Sequence, residues 1–299
     1  MFDKAFLLNK IVDSLQKNEF EVFVTQGCFD IAARRESLYL LKVLMNVDGL
    51  TQGQALSLRT ISYFISANPF IISTRNTREP LSDDTVYERF DVPVLTPKSF
   101  DEMLVDELVI EHSAKGRHTL EINTFALRDR RQEMKYTLEQ LAEQVGMSKK
   151  ALYEIENKRV NPTKGTVKRL EALLSVTLTI PYEPTAVQPS YLQPKDDFQK
   201  NVSQELSRIG IDNSSVYSAP FEIVGKERFS LITTLSENTS KIRRESAKVK
   251  GLSGMLNSKA LFVARRSREK TVDGVSVVLE ADLPDISSTK HLSEILEEA

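Results

Sequence analysis

The chain has 299 residues, of which 40% are hydrophobic and 27% charged, with a formal net charge of −2. That length suits two or three domains, and the near-neutral charge excludes a polycation, so any grip on nucleic acid must come from a local basic surface. A single cysteine, Cys28, excludes an intramolecular disulfide and a zinc site built on two thiolates, and the absence of any run of about 18 apolar residues leaves no membrane partner, so a cytoplasmic protein is expected.

Phe2, Phe6, Leu7, Ile11, Val12 and Leu15 recur at helical spacing, which predicts a helix over 3–17 and not the continuous apolar core of a signal peptide. Residues 20–24 (FEVFV), 29–33 (FDIAA) and the apolar run 38–44 (LYLLKVL) predict three strands. A helix over 53–66 and a strand at PFIIS follow. The stretch PKSFDEMLVDELV, with Pro97 in its first turn, predicts a closing helix. These elements make an N-terminal α/β domain over 1–112. The polar stretch EHSAKGRHT, Glu111 to Thr119, reads as a junction. The histidines His112, His118 and His291 lack metal-like partners and read as solvated surface.

Residues 122–175 predict a small all-α domain. Thr137 with Gln140 three residues on makes a capping box, and Leu138, Leu141, Ala142 and Val145 form the inner face of the helix it opens. Gly146 is the turn residue, Ser148 caps the next helix, Leu152 and Ile155 face the core, and Asn157 ends it. Pro162 is expected to begin a further helix reaching about Leu174. By subtraction, Lys149, Lys150, Ala151, Tyr153 and Glu154 are left on the outer face. This segment carries 11 basic and 7 acidic residues, +4, whereas the rest of the chain has 29 and 35, −6. A basic module in an acidic chain suits local phosphate contact.

Pro181, Pro184, Pro189 and Pro194 then predict an extended linker over 176–196. Beyond it, 197–299 echoes the first domain. FDIAARRESLYLLK, from Phe29, aligns with FEIVGKERFSLITT, from Phe221, at an offset of 192. NPFIISTRNTRE aligns with SKALFVARRSRE at an offset of 190, pairing Arg75, Arg78 and Glu79 with Arg265, Arg268 and Glu269. The helix before the first strands recurs as FQKNVSQELSRIGI, 198–211. The expected architecture is therefore two similar α/β domains flanking an all-α domain, an internal duplication.

The segment FALRDRRQEMKYTLEQLAEQVGMSKKALYEIENKRVNPTKGTVKRLEALLSV closely resembles the Cro/C1-type helix-turn-helix family. The resemblance implies double-stranded DNA as partner, with Lys149, Lys150, Ala151 and Glu154 reaching base edges in the major groove. It implies phosphate contacts at Thr137, Asn157, Lys158 and Arg159, and a structural ion pair between Arg131 and Glu156. Several members carry Gln in the reading positions; this chain does not, so their operators do not transfer. A palindrome-binding homodimer is implied, with an effector unknown.

The helix–strand–strand–strand–helix–strand order of the first domain resembles the restriction-endonuclease-like fold. Active members place an Asp on the second strand and an acid-x-Lys motif on the third. Here Asp30 and Lys42 stand in place, but the middle acid is Leu40; the second copy has Glu222, Ile232 and Thr234. One carboxylate is a poor Mg²⁺ site, so a nuclease-shaped scaffold with no catalytic residue, metal or cofactor is expected. A structure-specific nuclease or a Holliday-junction-resolvase-like DNA-processing protein is the alternative. LYLLKVLMNVDGL, TVYERFDVPVL and the Cro/C1-type centre together resemble the archaeal HTH-type transcriptional regulatory proteins, which implies transcription regulation.

Overall fold

Asp3 opens the first helix: its carboxylate accepts the Phe6 N–H, and α1 (Lys4–Lys17) buries Leu7, Ile11 and Leu15 from the predicted stripe. The computed structural model describes residues 3–83, 85–105, 111–114, 117–180, 182, 187–188, 190 and 191–298, with side chains of 111–114, 117 and 118 left aside. Strands β1 (Glu21–Val24) and β3 (Leu38–Asn46) each pair antiparallel with β2 (Ile31–Arg34) between them. A 3-10 turn and a Thr51–Gln54 capping box lead into α2 (Gln52–Ile65), which returns the chain to β4 (Asn68–Arg75), parallel to β3. β3 and β4 are central and buried on both faces, which explains their unbroken apolar runs. The edge hairpin β5 (Tyr87–Arg89) and β6 (Val92–Leu95) was not expected from the sequence. Only β6 pairs with β4, giving the order β1-β2-β3-β4-β6-β5.

Chain contacts divide the protein into two units, Met1–Pro80 with Tyr87–Pro97 and Pro184–Ala299, and Leu81–Val86 with Lys98–Glu183. Helix α3 (Pro97–Leu104) therefore belongs mostly to the second unit, where the Ser99 hydroxyl bonds to the Asp83 carbonyl and Lys98 pairs with Asp83. The supposed junction is a hairpin, β7 (Glu111–Ala114) with β8 (Arg117–Leu120); the turn residues between them lie outside the described residues, as do the side chains of His112 and His118. Four helices follow: α4 (Thr124–Glu133), α5 (Leu138–Gln144), α6 (Lys149–Glu156) and α7 (Lys164–Leu174). Thr163, not Pro162, caps α7, since its hydroxyl accepts the Thr166 N–H and proline has the position before it. The core of this unit takes in Leu120 and Leu178 on either side of 122–175, closed by an Ile122–Thr179 bridge and the Asn123 N–H to Leu178 carbonyl bond.

Within the expected linker, Pro181, Pro184 and Pro189 lie outside the described residues. Its last part is docked rather than free: Leu192 bridges Ser215 and Tyr191 donates to Asp212. Then come α8 (Asp197–Arg208), β9 (Asp212–Ser215), β10 (Ile223–Lys226), β11 (Ser230–Ser236), α9 (Thr239–Met255), β12 (Lys259–Ala264), β13 (Thr271–Val272), β14 (Val275–Leu279) and α10 (Thr289–Glu297). The sheet order is β9-β10-β11-β12-β14-β13, with each pairing parallel or antiparallel as in its counterpart in the first half. The β2–β3 and β10–β11 registers, Ile31 with Leu41 and Ile223 with Thr233, keep the offset of 192. On β4 and β12 the register corrects it: Tyr39 faces Asn68 and Leu231 faces Lys259, an offset of 191, so Arg75 corresponds to Arg266 and not to Arg265.

The two α/β halves of the first unit meet reciprocally. Helix α2 packs on β10, and its counterpart α9 packs on β1 and β2. Gly27 and Cys28 of one half meet Ser218 of the other, where the Cys28 N–H donates to the Ser218 carbonyl. Ser57 on α2 accepts the Tyr217 N–H, and Lys226 donates to Ser66.

Candidate nucleic-acid interface

The outer face of α6 is built from its caps inward. Thr137 and Gln140 close a reciprocal capping box on α5, Gly146 takes φ +70° in the turn, and Ser148 accepts the Ala151 N–H at the start of α6. Leu152, Ile155 and Glu156 face inward, joining Leu127, Leu141, Ala142 and Val167 in the burial. Lys149, Lys150, Ala151 and Tyr153 are exposed on the opposite face, and Glu154 is half-buried beside them. Tyr153 is among the larger exposed apolar side chains and carries the Arg159 guanidinium over its ring at 5.6 Å.

The anchoring of this helix is electrostatic as well as apolar. Arg131 on α4 meets Glu156 through two bonds, Nε to Oε1 at 2.6 Å and a terminal nitrogen to Oε2 at 3.0 Å, and also donates to the Tyr136 carbonyl. The side chains are 11% and 3% exposed, so the charges satisfy each other away from water. On the same helix Met134 is an exposed C-cap, and Leu127 is the buried apolar residue one turn before Arg131. Sequence reasoning missed Arg128, which donates to the Glu156 carbonyl and to Asn157 Oδ1, while its Nε lies 3.7 Å from Glu156 Oε2. A second guanidinium thus closes the C-terminal end of α6, where the helix dipole is negative. Its signal was present: Arg128 precedes Arg131 by one turn.

The expected phosphate-contact residues cluster at both ends of this helix pair. Thr137 is exposed, although its hydroxyl is engaged in the cap. Asn157 donates to the Tyr153 carbonyl, Lys158 occupies the left-handed region at φ +57°, and Arg159 points back to Glu154 at 3.3 Å. Glu154 is therefore partly neutralised by Arg159, and Lys149 approaches Glu139 at 3.5 Å. These pairs are solvent-facing, and exposed pairs of this kind are weak.

In the N-terminal α/β half, the residues at the nuclease positions make a closed charge cluster. Asp30 is buried; it accepts from Lys4 Nζ at 2.9 Å, lies 3.3 Å from Lys42 Nζ, and accepts the Val43 N–H at 2.9 Å. Leu40 is buried with no polar atom to offer. Two ammonium groups stand against one carboxylate, which repels a divalent cation where a nuclease attracts one. The second half repeats the backbone bond with different cations. Glu222 accepts the Leu235 N–H at 2.8 Å, and Lys241 on α9 lies 3.3 Å away. In both halves, then, the acid before the second strand ties down the third strand. Among the described residues no group of three His, Cys, Asp or Glu side chains could hold a metal.

Comparisons with known proteins match two stretches of the chain, the first of them running through α3. Residues 4–109 match the PD-(D/E)XK superfamily domain and residues 127–180 match a helix-turn-helix domain. Relatives with the provisional name HTH-type transcriptional regulatory protein match nearly end to end. One from Methanothermobacter thermautotrophicus is 30% identical, over 99% of this chain and 96% of its own length. One from Methanocaldococcus jannaschii is 27% identical over 98% and 96%. One from Pyrococcus abyssi is 27% identical over 91% and 89%. No solved structure gives a significant match.

Proposed function

Since this chain belongs to the family of archaeal HTH-type transcriptional regulatory proteins, we propose that α6 is its recognition helix and reads the major groove. Lys149, Lys150, Ala151 and Glu154 are the base readers: a lysine donates to guanine O6 or N7, a glutamate accepts from cytosine N4, and the alanine methyl suits a thymine methyl. Thr137, Asn157, Lys158 and Arg159 set the register through phosphates. The observation that carries this reading is the opposition of faces on α6, with Glu156 locked to Arg131 on one side and the cationic residues open on the other.

The two α/β halves serve as a scaffold without catalysis, descended from one duplicated nuclease-like unit. Their common strand order and the equivalent bonds to Val43 and Leu235 support the duplication. The Lys4–Asp30–Lys42 cluster disfavours the nuclease or resolvase alternative. No cofactor is needed for this reading, and the place of action is the cytoplasm, where the DNA is. A homodimer reading a palindrome must pair through a surface other than the one the two halves bury against each other. An effector ligand is left unassigned.

Selection of bound fragments from genomic DNA, repeated with Lys149→Ala and Lys150→Ala, tests the proposal. A recovered consensus that both variants lose or relax, at about 1–3 kcal/mol per readout contact, is the expected result. Unchanged selection by both variants would remove α6 from the reading role. Sedimentation of the protein with and without the selected duplex decides the stoichiometry.

A further inference from the structure

The densest positive charge in the molecule is not in the helix-turn-helix. Residues 237–274 hold ten Lys or Arg against four Asp or Glu, +6 in a chain of net −2. Helix α9 alone carries Lys241, Arg243, Arg244, Lys248 and Lys250 against Glu245. The fold does not require this: α2, its counterpart in the first half, carries one basic residue, Arg59, already paired with Asp91. The two helices occupy equivalent positions, so the excess on α9 has a reason beyond folding.

On α9, Arg243 and Lys250 lie two turns apart on the flank that faces the segment after β12, and Lys241, Arg244 and Lys248 lie on the other flank of the exposed face. The segment after β12 runs alongside α9, with Thr239 touching Ser267 at 3.2 Å, Arg243 meeting Glu269, and Ser246 bonding to Asp273. At its far end Lys250 lies beside Gly274. Arg243, Arg266 and Arg268, together with Ser240, Ser267 and the single acid Glu269, line an open cleft of about 520 Å³. Arg266, Arg268, Lys270, Lys248 and Lys250 are all exposed, and none pairs with an acid among the described residues. From residue 239 to 250 the helix advances ~17 Å, a length that faces about five phosphates on one strand of duplex DNA at ~3.4 Å each along the axis. A single small anion would satisfy only a fraction of such a face, whereas a polyphosphate backbone matches its length, and arginine with serine hydroxyls suits phosphate oxygens.

We propose that the face formed by α9 and the segment Arg266–Lys270 is a second DNA-backbone contact surface, independent of sequence, that works alongside the helix-turn-helix. The inference rests on the DNA-binding role argued above, but on different residues. It adds affinity and salt dependence without adding base readout, because α9 packs along one side against strands of both halves and offers only its flanking cations, which suit phosphates.

The test uses the whole protein. Its affinity for a short random-sequence duplex and for the genomically selected duplex is measured by fluorescence anisotropy across a salt series. Arg266→Gln with Arg268→Gln is one variant, Lys248→Gln with Lys250→Gln a second, and Lys149→Gln with Lys150→Gln the comparison; all replace exposed side chains, and thermal unfolding checks that each is folded. Loss of two phosphate contacts should lower the slope of log K against log salt by about 1.8. The first two variants should show that fall on both duplexes while keeping the ratio between them; the third should reduce the ratio. Parent-like slopes in both α9-face variants overturn the proposal, as does competition by polyglutamate as strong as by duplex, which would reassign the face to acidic polypeptides. A parent-like ratio in the Lys149 and Lys150 variant instead overturns the recognition-helix reading and leaves this one standing.

Discussion

Glu156 is the residue that fixes α6 to the body of its unit. Its carboxylate is buried, and the two guanidiniums of Arg131 and Arg128 keep it satisfied. Arg131→Met leaves Arg128 as a partial substitute, whereas Glu156→Leu leaves two cations facing each other with no acid between them. Removing one partner of a buried pair costs about 3–5 kcal/mol, so we expect about 3 kcal/mol for Glu156→Leu and somewhat less for Arg131→Met. Chemical denaturation of the singles and the double variant checks this: a double no worse than the worse single shows the coupling, and simple additivity refutes it. Cys28 presents the opposite case, a buried group kept neutral. Burial pushes its thiol up to about 12, while the nearby Lys42 ammonium works in the other direction. The folded state thus holds its proton longer than the unfolded chain, so this contribution to stability is complete below the ordinary thiol range and is lost as pH climbs from there toward 12. Cys28 should resist iodoacetamide at mildly alkaline pH until denaturant is added; prompt labelling of the native protein would contradict the burial.

At the scale of elements, the decisive contact is between the first half's β1–β2 loop and the second half's β9–β10 loop. Gly27 has φ +148°, a conformation that L side chains rarely adopt, and a Cβ there would fall on the Ser218 carbonyl oxygen. Neither atom belongs to a flexible side chain, so the clash cannot be relieved by a rotamer. Gly27→Ala should cost about 1–3 kcal/mol from backbone conformation alone, and more from separation of the loops. Thermal unfolding should show the loss in the transition that carries the α/β halves, and an unaltered melting temperature would rule out this role for Gly27. Gly251 on α9, close to the Phe23 ring, marks the reciprocal contact of helix on hairpin. Its neighbour is a side chain that can shift, so a substitution there should be milder.

For the whole molecule, the question is what became of the nuclease-like architecture. Two sheets of the same strand order sit within one unit, each with an acid before its second strand and neither with an acid two residues before the third-strand position of Lys42 or Thr234. With Lys4 and Lys42 on Asp30, a metal ion would have to displace two ammonium groups before meeting even one ligand. Incubation with duplex, single-stranded and branched DNA in Mg²⁺ or Mn²⁺ should therefore leave every substrate intact. Cleavage that disappears in Asp30→Ala would reverse this view. Among the described residues no helix is long and apolar enough to cross a membrane.

The parts that depend on neighbours in sequence were readable from the sequence. Caps such as Thr137 and Ser148, the turn at Gly146, the periodic stripes of α1 and α5, and the apolar runs of β3 and β4 all follow from interactions within about four residues. The Arg131–Glu156 pair came from family resemblance, and Arg128 was overlooked because its partner lies 28 residues away. The hairpins β5–β6 and β7–β8 escaped because short edge strands need few apolar residues, and their pairing energy comes from the strand beside them. The docking of Leu192 on β9 escaped for the same reason. The basic face of α9 was legible as composition but not as a surface, since Arg266 and Arg268 join Arg243 only when β12 returns beside the helix. Local chemistry determined which elements form; long-range packing decided which charges meet, which are buried as pairs, and which are left to face a partner.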